Sequence, residues 1–200
     1  VEIDDSTEEV KAPVPVVEIK KHENRLGGAA NVALNLSALG AKPILCSVIG
    51  DDAKGDLFLK LMNQSKLPTS GIIRNKERKT TVKTRVIADN KHQLRIDEEE
   101  TNPISNSTDF LNLAINLMTN IDAIIMQDYN KGVLTPLIIK EIIKKANYKN
   151  IPIIVDPKIN NFNCYKNCTI FKPNLSEIKA GINVDFNANN KDQIKDATTK

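Results

Sequence analysis

Four groups of residues in this 200-residue chain are of types and spacings that could do chemistry. The first is Gly27-Gly28-Ala29-Ala30-Asn31, running directly into Val32-Ala33-Leu34-Asn35-Leu36-Ser37-Ala38-Leu39-Gly40. Two glycines before an amphipathic helix let backbone approach a ligand closely, because no Cβ intervenes. The helix start adds unpaired N–H groups and a partial positive charge. Asn31, in the first turn, offers a donor and an acceptor on one short stem. Gly27, Gly28 and Asn31 together suit a polyhydroxylated ligand such as a sugar. The other three groups are Asp128-Tyr129-Asn130-Lys131-Gly132, Asp156-Pro157-Lys158 and Lys172-Pro173-Asn174-Leu175-Ser176-Glu177. Lysines are point charges suited to phosphate, and carboxylates can hold Mg²⁺ directly or through its waters. Each group also reads as a plain helix cap, with Asn174 at the N-cap and Glu177 three residues on.

The elements needed to bring these groups together follow from the apolar pattern. Short apolar runs at 43–49, 123–127, 151–155 and 168–171 predict buried parallel strands. Helical spacing predicts helices from the Gly27-Gly28 turn to Gly40, after Asp51-Asp52, at 109–118, at 136–146 and from about Leu175. The face of the first helix is expected to carry Val32, Leu36 and Leu39. Strand–helix alternation of this kind argues for an α/β fold: a doubly wound, mostly parallel sheet covered on both faces. The three strand-end groups then share the carboxyl edge, where open α/β sheets bind ligands. Residues 72–73, 80–88 and 93–96 are β-branched and separated by Asn, Asp and Lys turns, so they read as a small antiparallel patch. A strand is also expected at 14–19.

The bulk numbers narrow the class. Hydrophobic residues at 40% and charged residues at 26% are those of a globular domain. A net charge of +3, with no basic cluster and only eight aromatics, argues against a nucleic-acid partner. No apolar run is long enough to span a bilayer, and the acidic start Val1-Glu2-Ile3-Asp4-Asp5 is unlike a secretory signal. An odd set of cysteines, Cys46, Cys164 and Cys168, fits reduced thiols and a cytoplasmic setting. His22 and His92 lie among polar residues and are expected to be exposed. The fingerprint G-x-G-x-x-G is out of phase at Gly27-Gly28, and no G-x-x-x-x-G-K-[ST] occurs. A dinucleotide enzyme is thereby disfavoured and a P-loop excluded.

Taken in order, 12–17, Arg25-Leu26-Gly27-Gly28-Ala29-Ala30-Asn31, Asp128-Tyr129-Asn130-Lys131-Gly132, Val155-Asp156-Pro157-Lys158 and Pro173-Asn174-Leu175-Ser176-Glu177 resemble the ribokinase-like (PfkB) carbohydrate kinases, and among them the heptose 7-phosphate kinase branch. The resemblance implies a doubly wound sheet with a small β lid, its strands within about 13–25 and 80–97. It implies sugar contacts from Gly27, Gly28, Asn31 and Asp128, and phosphate contacts from Arg85, Arg95 and Lys131. It implies an ATP site at Asp156, Lys158, Asn174, Leu175, Ser176 and Glu177, with Glu177 handling Mg²⁺. The reaction implied is transfer of the ATP γ-phosphoryl group to the anomeric hydroxyl of D-glycero-β-D-manno-heptose 7-phosphate. A sugar phosphate is the expected partner, and a homodimer through the lid strands is expected. Another sugar kinase of the family, for fructose or ribose phosphates, and a non-catalytic sugar-binding module are the alternatives.

The chain departs from the family pattern in two places. The late Gly-Ala-Gly-Asp segment, whose Asp is the family's general base, does not occur in the 200 residues. That base is expected to lie beyond Lys200. The opening strand with its sugar-contacting Asp is missing too. The chain is therefore expected to be part of a longer kinase domain, to hold no catalytic residue of its own and to be inactive alone. No His-x-Gly-His marks a nucleotidyltransferase domain.

Overall fold

The computed structural model describes residues 19–88, 91–187 and 190–198. Nearly all of the strand expected at 14–19 lies outside the described residues. So does Lys200, and with it the expectation that the general base is placed after that residue. The first element is α1, Ala29–Ala38, closed by Gly40 at φ +90°. The Gly40 N–H donates to the Ser37 carbonyl and the Ala41 N–H to the Leu36 carbonyl, each at 3.0 Å, the paired pattern of a glycine-ended helix. Its buried face is Ala30 and Ala33, while Leu39 is 84% exposed. The apolar stripe expected along Val32, Leu36 and Leu39 is thus displaced. The small residues face inward because α1 sits close against Leu26, Leu45, Met62 and Leu67.

Strand β1, Ser47–Gly50, leads through α2, Ala53–Gln64, to β2, Ile72–Asn75. The two strands pair in parallel from Ser47↔Ile72 to Gly50↔Asn75. Ile72 and Ile73 therefore belong to a βαβ unit and not to the antiparallel patch that the sequence suggested. Two isoleucines give no periodicity long enough to choose a partner; the α2 crossover chooses it. Asp52 caps α2, its Oδ1 accepting from the Gly55 N–H at 2.7 Å.

The rest of that patch forms as expected. β3, Val82–Ala88, and β4, Lys91–Glu98, make an antiparallel ribbon with an irregularity between Val86 and Ile87. After α3, Ser107–Leu117, the alternation resumes with β5, Ile124–Gln127, α4, Pro136–Tyr148, β6, Ile153–Asp156, and β7, Ile170–Phe171. These three strands pair in parallel in the order β5-β6-β7. A 3₁₀ turn that the sequence did not signal, Ile159–Cys164, lies between β6 and β7. Two further helices follow, α5, Leu175–Ile182, and α6, Lys191–Thr198.

The main core is built where α4 lies on β5 and β6. Ile138, Ile139, Ile142, Ile143 and Ala146 form a helical stripe against Met126, Ile153 and Val155, with Phe110 and Ala114 of α3 alongside. Each fully buried isoleucine here contributes roughly 1.5–3 kcal/mol. Cys46, Val48 and Ile73 pack against the same cluster, so the β1–β2 pair shares the core. Among the described residues the β1–β2 sheet and the β5-β6-β7 sheet are not hydrogen-bonded to each other. This core aligns β5, β6 and β7, and their carboxyl ends carry the polar groups of the candidate site.

Candidate active site at the carboxyl edge of the sheet

The loop after β5 is held by a buried carboxylate. Asp128 is only 2% exposed, and its N–H donates to the Asp156 carbonyl at 3.0 Å. Its Oδ1 accepts from the Asn130 N–H at 2.6 Å. Its Oδ2 accepts from Asn161 Nδ2 at 2.9 Å and Tyr165 Oη at 2.8 Å. Asn161 also donates to the Leu134 carbonyl at 2.8 Å. Expected as a substrate contact, Asp128 is instead enclosed: both its oxygens are taken by protein donors, and it fixes the loop that carries Lys131. Burial and the neighbouring Asp128 charge push the Tyr165 phenol well above its ordinary pKa, so it stays a donor.

The same loop is pinned on its other side. Gly132 has φ +76°, and a Cβ there would lie 1.8 Å from the Asn102 carbonyl oxygen. The Ile104 N–H donates to the Gly132 carbonyl at 3.0 Å, and Arg78 Nη2 to the Lys131 carbonyl at 2.8 Å. With its backbone fixed, Lys131 projects its ammonium to Glu99 Oε1 at 2.5 Å.

The N-terminus of α1 adjoins this loop. Gly28 is the N-cap, at φ +54° and ψ −133°, a conformation open to glycine. A Cβ on Gly28 would lie 3.5 Å from the Tyr129 ring. No acidic residue occupies the first turn, so the partial positive charge of this helix end has no carboxylate of its own. Gly27, Gly28 and Asn31 are all exposed there.

β6 and β7 bring up the second half. Asp156 ends β6 beside Gln127, which donates to its Oδ2, and Lys172 Nζ stands 3.0 Å from its Oδ1. Burial pulls this carboxyl upward, but the Gln127 and Lys172 bonds outweigh it, and Asp156 titrates below the ordinary range. The start of α5 is a complete capping box: Asn174 Oδ1 accepts from the Glu177 N–H, and Glu177 Oε2 accepts from the Asn174 N–H, both at 2.9 Å. Glu177 is 8% exposed, and its Oε1 pairs with Lys158 Nζ. That pairing holds the Lys158 ammonium above its usual pKa against the opposing effect of partial burial. Leu175 and Ser176 are exposed in the same first turn.

The lid ribbon carries the remaining candidates. Arg85 and Arg95 are directly opposite across β3 and β4, on one side of the ribbon with Lys83 and Asp97. Facing cations destabilise a ribbon, so this pairing favours an anion between or beside them. Arg95 Nε is 3.1 Å from Asp97 Oδ1. Arg85 is joined to Arg95 through the strand pairing, and the Asn31 N–H donates to the Gly28 carbonyl at 3.1 Å.

The structure therefore brings four of the predicted groups into a row. Gly28 meets Tyr129, Asp128 meets Asp156, Asp156 meets Lys172, and Lys158 meets Glu177. Glu99, Arg78, Asn161 and Tyr165 carry no sequence signal that would mark them, because each acts across a long sequence separation. Tyr129 could have been read from its place between Asp128 and Asn130. The three thiols are unpaired and half-buried, with Cys46 pushed up to about 11 by burial, which does not suit a nucleophile. Among the described residues no group of three or more His, Cys, Asp or Glu could hold a metal ion by itself. Among them, too, no helix is long and apolar enough to cross a membrane.

Known proteins resemble this chain in sequence and in fold. Over 180 residues the chain is 38% identical to the bifunctional protein HldE of Helicobacter pylori strain J99, covering 89% of this chain and 39% of that protein. It is 39% identical over 176 residues to the bifunctional protein HldE of Trichlorobacter lovleyi, covering 87% of this chain and 36% of the relative. The chain thus spans about two fifths of the length of these curated relatives. Among solved structures, the phosphofructokinase-2 of Escherichia coli in complex with fructose-6-phosphate superposes with a TM-score of 0.69 at 20% identity, over 86% of this chain and 57% of the other. A possible 1-phosphofructokinase of Thermotoga maritima gives 0.70 at 17% identity, over 96% and 62%. These neighbours share the ribokinase-like fold. The model of the pfkB family carbohydrate kinases matches residues 1–200, and the chain belongs to that family.

Proposed function

We propose that this chain supplies the sugar-phosphate and nucleotide contacts of a kinase that phosphorylates D-glycero-β-D-manno-heptose 7-phosphate at its anomeric hydroxyl with ATP. The observation that carries the reading is the row of contacting groups along one sheet edge, from the acid-free N-terminus of α1 through Lys131 to the Lys158–Glu177 pair. The likeness of Asp128-Tyr129-Asn130-Lys131-Gly132 and Pro173-Asn174-Leu175-Ser176-Glu177 to the heptose 7-phosphate kinase branch favours the heptose substrate over other sugars. Gly27, Gly28 and Asn31 hold sugar hydroxyls. Lys131, with Arg85 and Arg95 from the lid, takes the 7-phosphate. Asp156, Lys158 and the exposed first turn of α5 at Asn174, Leu175 and Ser176 face the nucleotide phosphates.

Mg²⁺ fits this site in one way. Among the described residues Glu177 Oε1 is engaged by the Lys158 side chain alone, which can turn to a phosphate oxygen and leave the carboxylate to a hydrated cation. Mg²⁺ bound there supplies charge neutralisation at the transferring phosphoryl group. Lys158 orients the Glu177 carboxylate and keeps a positive charge beside the phosphates, and the capping box holds the carboxylate in place. Enclosure of the protein in the cytoplasm belongs to the same reading.

The test is phosphorylation by the intact gene product of heptose 7-phosphate, fructose 6-phosphate and ribose, followed by ³¹P NMR. Heptose 7-phosphate is expected to be preferred, and Lys131→Met to raise its KM at least about tenfold, because a charge-assisted contact is lost. The 200 residues alone contain no Gly-Ala-Gly-Asp, so their rate is expected about 10²–10⁴-fold lower, the usual contribution of a general base. Preference for another sugar overturns the substrate assignment, and an unchanged KM removes Lys131 from the site.

A further inference from the structure

An alternating ladder of charges runs from the lid to the sheet edge. Arg95 Nε stands 3.1 Å from Asp97 Oδ1, and Asp97 Oδ2 stands 2.9 Å from Lys83 Nζ. Lys83 Nζ continues to Glu99 Oε2 at 2.6 Å, and Glu99 Oε1 to Lys131 Nζ at 2.5 Å. Its last three members are not open surface: the side chains of Lys83, Glu99 and Lys131 are 34%, 25% and 22% exposed. Among the described residues, Glu99 is the one rung that joins the ribbon to the loop after β5. The Lys131 and Lys83 bonds hold its carboxyl below the ordinary glutamate range.

The chain beyond Glu99 is attached differently. The Glu100 carbonyl accepts from Arg78 Nη2 at 3.3 Å, the same guanidinium nitrogen that donates to the Lys131 carbonyl. Glu100 Oε1 accepts from the Lys79 N–H at 2.9 Å. Asn102 and Ile104 then press against Gly132. From Glu100 onward the lid stem is fixed to the body through backbone groups. At the other stem Thr80 is fixed likewise, its N–H and hydroxyl donating to Asp52 and its oxygen accepting from the Gly50 N–H. Among the described residues, the ribbon itself is joined to the loop after β5 by ammonium–carboxylate contacts alone, Glu99 bridging Lys83 and Lys131. Such contacts yield to a competing anion, whereas backbone hydrogen bonds at a close-packed glycine do not.

We propose that Glu99 is an intramolecular stand-in for a phosphate group, a specificity-determining residue that occupies Lys131 until a phosphomonoester dianion replaces it. This rests on the reading that Lys131 takes the substrate phosphate. A dianion at Lys131 displaces the Glu99 carboxylate, and the ribbon becomes free to turn about its two fixed stems, at Thr80 and at the 99/100 junction. A ligand without a phosphate leaves the latch closed. The ladder therefore selects for a phosphorylated sugar through competition, in addition to direct contact.

The experiment uses the 200-residue chain with inorganic phosphate as the probe and potassium chloride of equal ionic strength as the control. Hydrogen exchange is read by mass spectrometry in β3 and β4, with β5 and β6 as the internal reference for an intact fold, and phosphate affinity is read by ³¹P titration. In the parent sequence phosphate is expected to speed exchange in β3 and β4 about fivefold and leave β5 and β6 unchanged. Glu99→Gln, which keeps the shape and removes the charge, is expected to show the faster lid exchange without phosphate, no further response to it, and about fivefold tighter phosphate binding. Lys131→Met is expected to lose phosphate binding. Lid exchange or phosphate affinity unchanged in Glu99→Gln, while Lys131→Met still loses the anion, overturns the latch and leaves the site assignment standing. Equal phosphate binding by Lys131→Met and the parent overturns both.

Discussion

Gly132 and Gly27 make opposite demands on a side chain. At Gly132 the backbone sits at φ +76°, and an added Cβ would fall 1.8 Å from the Asn102 carbonyl oxygen. At Gly27 nothing lies within 4 Å of that position, and the φ is ordinary. Gly132→Ala is expected to lower stability by more than about 2 kcal/mol, since strain and a backbone clash add. Gly27→Ala is expected to cost under about 0.5 kcal/mol. Urea unfolding of the two variants measures both; equal midpoints would show that the loop after β5 is not clamped by residues 102–104. Asp128 teaches a related lesson about carboxylates. In sequence it is an acidic residue directly following a predicted strand, indistinguishable from Asp156. In the fold it is 2% exposed and both its oxygens are taken, whereas Asp156 is partly open and shared with Lys172. The difference comes from Asn161 and Tyr165, more than thirty residues away.

Among the elements, the β3–β4 ribbon depends most on charge. Its polar side holds Lys83, Arg85, Arg95 and Asp97, and an isolated two-stranded ribbon is marginal in water. The Asp97 carboxyl lies below its ordinary value of 3.8, chiefly through Lys83, and that of Glu99 below 4.5, chiefly through Lys131. A carboxyl whose folded pKa is depressed stabilises the fold above its unfolded pKa and ceases to do so as pH falls through the folded one. The ribbon is therefore expected to hold its structure at neutral pH and to loosen as pH falls below about 4, before the α4-covered sheet does. Cross-strand NOEs between β3 and β4, compared with those between β5 and β6 over a titration from about pH 6 to about pH 3, follow this directly. Simultaneous loss of both sets would remove the ion-pair ladder as the source of ribbon stability. The helix starts rest on shorter-range chemistry: Asp52 and Asn174 cap their helices within three residues, as the sequence suggests.

For the whole molecule, the other side of the ribbon carries Val82, Thr84 and Val86 on β3 opposite Glu98, Ile96 and Leu94 on β4, and Leu94 and Ile96 are 56% and 49% exposed. We propose that a second copy covers this side through the lid strands. Sedimentation velocity is expected to show a dimer that Leu94→Lys converts to monomer; a monomeric parent sequence would end that proposal. The sequence by itself determined the elements whose signals are local. The α4 stripe, the glycine-closed α1, the capping box at Asn174 and Glu177, and the antiparallel character of 82–98 all depend on residues a few positions apart. It also determined the family, because motifs in order along the chain carry that information. Tertiary structure alone decided which strand β2 pairs with, that α1 turns Ala30 and Ala33 inward, that Asp128 is buried, and that Glu99 reaches Lys131. Each of these is settled by contact between segments far apart in the chain, where packing space and the placement of opposite charges, and not local backbone preference, select the partner.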